Sequence, residues 1–117
     1  MKYIAHRGLG SKYKQNTVEA IHDAIQNGYH GIEIDVQLCK TGEIVLAHDI
    51  YLEDGFIKDI SYEDLKPRGI CTLTEVYKRM PYIKDVLLIL DMKGGDLRLV
   101  DALTAFYKLR PTRNVIA

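Results

Sequence analysis

Two carboxylates, Glu33 and Asp35, interrupt an otherwise apolar run, Gly31-Ile32-Glu33-Ile34-Asp35-Val36. Side chains alternate along a strand, so Ile32, Ile34 and Val36 share one face while Glu33 and Asp35 share the other. Ionised carboxylates about 6 Å apart repel by roughly 3 kcal/mol at an effective dielectric near 20, and burial adds a desolvation cost. A cation, solvent or a raised pKa on one of them must compensate. One reading is an edge strand with its polar face in water. A second comes from other polar groups: His6-Arg7 and Asp91-x-Lys93 sit just past apolar segments, and His48 ends another. Ligands bind at that end of the strands in α/β sheets. Carboxylates from two strands suit a hard divalent cation, Mg²⁺ or Ca²⁺. His6 and His48 beside it suit general acid and general base roles.

These residues need a frame, and the apolar periodicity supplies one. A short strand over 2–5 leads into a Gly- and Lys-rich loop over 8–14. Asn16, with Glu19 three residues on, reads as the capping pair of a helix whose face is Val18, Ile21, Ala24 and Ile25. Asn27-Gly28 stops that helix. The strand over 31–38 turns at Lys40-Thr41-Gly42-Glu43 and returns over 44–47 as a hairpin. Residues 51–65 are mixed, with a helical turn capped by Ser61. Thr72-x-x-Glu75 opens a helix with Leu73, Val76, Tyr77 and Met80 on one face, and Pro81 ends it. A buried strand over 86–90 precedes a helix over 96–109 that buries Leu99, Val100, Leu103, Phe106 and Tyr107. A last strand begins at 114–117. Strands alternating with helices give an α/β fold with a parallel sheet.

Composition removes several classes of function. The chain of 117 residues carries 16 basic and 16 acidic side chains, a net charge of zero that argues against a nucleic-acid partner. No apolar run approaches the ~20 residues of a membrane span, and the N-terminus turns polar too early for a secretory signal. Cys39 and Cys71 match no metal-binding spacing, so the chain reads as cytoplasmic, one domain over 1–117. Gly8-x-Gly10 and Gly94-Gly95 match no dinucleotide or Walker pattern. His22 and His30 lie outside the clusters above. Lys12-Tyr13-Lys14 reads first as a solvated loop, and second as an aid to anion binding.

The chain resembles the glycerophosphodiester phosphodiesterases. The matching segments run in family order: Ala5-His6-Arg7-Gly8, Asn16-Thr17, Gly31-Ile32-Glu33-Ile34-Asp35-Val36, Lys40 through Asp49, Thr72-Leu73-Thr74-Glu75-Val76, and Leu88-Ile89-Leu90-Asp91-Met92-Lys93. The resemblance implies a TIM-barrel-type sheet, here about four strand–helix units or half a barrel, with the hairpin strand as an excursion after the second strand. It implies a metal-dependent hydrolase of phosphoric diesters that cleaves glycerophosphodiesters to glycerol 3-phosphate and an alcohol. By position, Glu33, Asp35 and Asp91 match the metal ligands, His6 and His48 the catalytic histidines, and Arg7 and Lys93 the phosphate contacts.

Three departures bear on that reading. Lys14-Gln15 replaces the family's Pro-Glu, Asp91 is a methylene shorter than the frequent Glu, and Cys71 stands where Pro is common, a structural exchange. Asp91 is the usual choice in related phospholipases of the sphingomyelinase D type, so action on lysolipids is one alternative. A non-catalytic binding or structural subunit is another, suggested by the half-length chain. A barrel takes eight strands and typically ~250 residues. Four strands leave open edges, with cover lost around Ile4, Ile34, Ile89 and Ile116, so a homo-oligomer or a partner chain is expected to complete the barrel.

Overall fold

Strand β2, Gly31–Leu38, pairs with three neighbours and orders everything else. The structure is a computed structural model that describes residues 3–8, 13–110 and 115–117. β1, Ile4–His6, lies parallel to the first half of β2, and β6, Leu87–Met92, runs parallel along its other side. β7, Val115–Ile116, adds in parallel beyond β6. β3, Ile44–Leu46, pairs antiparallel with residues 36–38, closing the expected hairpin where β1 has ended. The strand order is β1-β2-β6-β7, with β3 beside β2. β2 is therefore central, and the edge-strand reading of its carboxylates is overturned.

The two faces of this sheet differ sharply. α1 (Val18–Gln26), α3 (Leu73–Arg79) and α4 (Arg98–Leu109) contribute to a continuous core with Ile32, Ile34, Val36, Leu88 and Leu90. The opposite face carries His6, Glu33, Asp35, Ile89 and Asp91, as the register requires: His6 sits beside Glu33, and Asp35 beside Asp91. Ile34, expected on an uncovered face, is completely buried among the helices because it is one residue out of phase with that set. Ile4 and Ile116 are the exposed ones, at 48% and 55%. Helix α4 also differs from expectation. Leu99, Leu103 and Phe106 are buried, Tyr107 is half-buried, and Val100 is half exposed on the outer side.

The excursion between β3 and α3 has its own small core of Cys39, Val45, Ile57, Ile60 and Leu65. It contains a two-strand ribbon, β4 (Tyr51–Leu52) with β5 (Gly55–Phe56), and the one-turn helix α2, Tyr62–Leu65. Ser61 precedes α2 as expected, but its hydroxyl donates to the Asp64 carboxylate and not to a capping role. Thr72 does cap α3, accepting from the Glu75 amide at 3.1 Å. At α1 the expected cap moves by one residue: Thr17 accepts from the Ala20 amide at 3.2 Å, and Glu19 pairs with Arg79 across to α3. Asn16 is released for other work.

Candidate functional site

The loop after β1 places the first site residues by adopting backbone conformations that side chains other than glycine rarely take. Arg7 and Asn16 have φ of 53° and 58°, and Gly8 lies between them in sequence at 75°. A Cβ at Gly8 would sit 3.0 Å from the Ile21 amide nitrogen, so only glycine lets the loop approach α1 this closely. The Asn16 amide donates to the Arg7 carbonyl at 2.9 Å, tying the two left-handed residues together. Such conformations cost energy and persist where surrounding contacts hold them.

Those contacts converge on Asp35, which is 1% exposed. Asn16 Nδ2 donates to Asp35 Oδ2 at 2.9 Å, and the Asp35 amide donates to Asn16 Oδ1 at 3.0 Å. Arg7 Nε lies 3.1 Å from the same oxygen, but off the line of its N–H, so it contributes charge and not a hydrogen bond. Lys93 Nζ is 2.9 Å from Asp91 Oδ2 and 3.7 Å from Asp35 Oδ1. The hydrogen bond that the Lys93 ammonium donates to Asp91, with the Asp91, Asp35 and Glu33 charges beside it, raises the Lys93 pKa above the ordinary lysine value. His6 Nε2 stands 3.5 Å from Glu33 Oε2.

Glu33, Asp35 and Asp91 each offer an oxygen to one place, all within 4.8 Å of one another. Three carboxylates face two fixed cations, Arg7 and Lys93, which leaves one negative charge over. Glu33 Oε1 and Asp35 Oδ1 are buried with no hydrogen-bond donor, a costly state for an ionised oxygen. Oxygen donors with this surplus charge fit a hard divalent cation. His48 does not join this cluster directly. Its Nδ1 contacts Asp49 Oδ1 at 3.1 Å, and it lines an adjoining cavity of about 300 Å³ together with Arg7, Gln15 and Asn16.

Two residues of this site were missed by sequence reasoning. Asn16 reads in the sequence as a helix cap, although Asn16-Thr17 offers two cap-competent residues for one position. Gln37 continues the alternation past Glu33 and Asp35, and only 2% of it is exposed. Its Nε2 donates to the carbonyls of Ala47 and Asp49, both at 2.9 Å, which bracket His48. The backbone that presents His48 is thus fixed from β2.

Cys71 closes the back of the Asn16 loop, donating to the Asn16 carbonyl at 3.5 Å. Burial pushes its thiol pKa up from 9.0 to about 12. The folded chain keeps this proton while the unfolded chain releases it, so the associated stability is full below pH 9 and is lost as pH rises toward about 12. Urea unfolding at pH 8 and pH 10 is expected to show a larger loss in the parent chain than in Cys71→Ala. Equal losses would mean that the thiol does not titrate as its burial demands.

A parallel sheet of strand–helix units with an acidic cluster at the C-terminal ends of its strands defines a TIM-barrel-type scaffold. The sequence model of the glycerophosphoryl diester phosphodiesterase family matches residues 6–101, and the chain belongs to that family. It is 34% identical over 110 residues to a glycerophosphodiester phosphodiesterase of Caldanaerobacter subterraneus, covering 79% of this chain and 45% of that protein. The crystal structure of a glycerophosphodiester phosphodiesterase from Thermotoga maritima superposes with a TM-score of 0.81 at 30% identity, over 98% of this chain and 52% of that one. An Oleispira antarctica phosphodiesterase, solved with its product sn-glycerol-3-phosphate, gives 0.75 at 25% identity, over 99% and 53%. The chain thus spans about half the length of its solved relatives, and the barrel is not closed. Among the described residues, no helix is long and apolar enough to cross a membrane.

Proposed function

We propose that this chain is the metal-binding half of a phosphodiesterase that hydrolyses glycerophosphodiesters to glycerol 3-phosphate and an alcohol. The observation that carries the reading is the convergence of Glu33, Asp35 and Asp91 within 4.8 Å, with two buried carboxylate oxygens lacking donors. These three residues would hold Mg²⁺ or Ca²⁺, and the cation, when bound, supplies charge neutralisation for the phosphoryl oxygens. Arg7 and Lys93 flank the carboxylates and would contact the anionic phosphate beside the cation site. One of His6 and His48 takes the proton from the nucleophile, either water or the substrate's own glycerol hydroxyl by way of a cyclic phosphate that water then opens, and the other returns a proton to the departing alkoxide. The sum is one water consumed for each diester bond broken. The buried free thiols of Cys39 and Cys71 suit a reducing, cytoplasmic setting. Residues 1–117 form a single truncated domain of this type, and the remaining strands of its barrel come from a second copy, a partner chain or further residues of a longer protein.

The test is a diesterase assay on glycerophosphocholine and lysophosphatidylcholine, with added Mg²⁺, added Ca²⁺ or chelator, beside calorimetry of cation binding. The expected result is cation-dependent release of glycerol 3-phosphate from glycerophosphocholine. Release of choline from the lysolipid alone would move the activity to the phospholipase D type. Cation binding without turnover of either substrate would make the chain a binding subunit.

A further inference from the structure

The 300 Å³ cavity beside the carboxylates is walled on one side by Arg7, Lys14 and Gln15 and on the other by His48, Leu52 and Ile70. It continues outward into a second cavity that shares Lys14, Leu52 and Ile70 and ends at Asp54 and Arg68. Its charges are not all balanced. Arg7 faces Asp35, His48 faces Asp49, and Arg68 forms a two-pronged bond to Asp54 at 2.7 and 2.8 Å. That bond holds the Asp54 pKa at about 2, so the pair stays intact at neutral pH. Lys14 differs. Among the described residues no carboxylate pairs with it, and its ammonium donates to the Arg68 carbonyl at 2.9 Å.

Lys14 is also held at its other end. Its carbonyl accepts from the Thr17 hydroxyl at 2.6 Å, the same hydroxyl that caps α1. The side chain spans from the β1–α1 loop to the excursion and ends against Gly69, whose φ of 79° carries the chain past Nζ. An ammonium held by one backbone carbonyl on the wall of a partly apolar cavity is prepared for an anion, because that neutral hydrogen bond does not cancel its charge. Glu53 lines the outer cavity but not the inner one.

We propose that this cavity receives one arm of the diester and that Lys14 selects arms bearing an anionic group of their own, such as a terminal phosphate. The proposal rests on the phosphodiester reading of the neighbouring carboxylates. Its substrate class is a glycerophosphodiester with an anionic alcohol, as against a cationic one such as choline.

Glycerophosphoglycerol and glycerophosphoglycerol phosphate differ by a terminal phosphate, and glycerophosphocholine supplies the opposite charge. On the full chain with Mg²⁺, kcat/KM and the calorimetric Kd are expected to favour the phosphate-bearing diester over glycerophosphoglycerol by about tenfold, the scale of one charge-assisted hydrogen bond. Lys14→Gln should bring that ratio close to one, Lys14→Arg should keep it, and Lys14→Glu should turn the preference toward glycerophosphocholine. Binding with this ratio but no turnover leaves the selective cavity standing and removes the hydrolytic reading. Turnover with no preference in the parent chain, or a preference unchanged by Lys14→Gln, overturns the proposal while hydrolysis stands. Failure to bind any of the three overturns it as well.

Discussion

His6→Ala and His48→Ala are each expected to lower turnover of glycerophosphocholine by at least ~10²-fold, the usual scale of general acid–base catalysis. The two side chains are 63% and 44% exposed, so removing either opens no core cavity. Urea midpoints should therefore stay near that of the parent chain. The histidines sit in different surroundings: His6 lies against Glu33 of the acidic cluster, and His48 stands on the neighbouring cavity wall beside Asp49. Two histidines in separate surroundings suit two proton transfers in opposite directions. Unchanged activity in either variant would remove that histidine from the reaction. Lost activity together with a lowered urea midpoint would assign the effect to folding.

The parts of this site legible in the sequence were those whose chemistry conflicts with their element. Glu33 and Asp35 stand out because a buried strand should be apolar, and their alternation with Ile32, Ile34 and Val36 fixes which face they share. Strand-end positions brought His6, Arg7, Asp91 and Lys93 to the same end of the sheet, and the register of β1, β2 and β6 bears out that alignment. Local signals failed where tertiary contacts outbid them. Asn16 satisfies every rule for a helix cap, yet the reciprocal bonds to Asp35 hold it instead, and Thr17 caps the helix. Gln37 looks like an ordinary polar residue on a strand, and only the fold of the excursion shows that it meets the carbonyls around His48. Val100 follows the helical stripe in sequence, but it lies on the flank of α4 that no described element covers. Periodicity reports what is apolar, not what is present to cover it.

That uncovered surface leads to the other large effect, on assembly. The 117-residue chain is expected to self-associate or to require a completing polypeptide. Four parallel strands cannot close a barrel, and both outer strands, β1 and β7, present an unpaired edge among the described residues. Their open-face residues Ile4 and Ile116 are about half exposed, and Leu97, Val100 and Leu109 of the α4 region are 85%, 50% and 81% exposed. Leaving even ~400 Å² of apolar surface in water forgoes about 10 kcal/mol at ~25 cal/mol per Å², which is comparable to the whole stability of a domain. Two copies related by a twofold axis would pair edge with edge and cover both sets at once. Sedimentation velocity of the chain at micromolar concentration should give at least the mass of a dimer. Precipitation that stops when a second polypeptide is co-expressed would point to a different completing chain. A well-dispersed monomer would show that the exposed strands and the outer side of α4 are tolerated in water, against the area estimate. In that case the carboxylate cluster should still bind its cation, because its ligands come from β2 and β6, which are already paired.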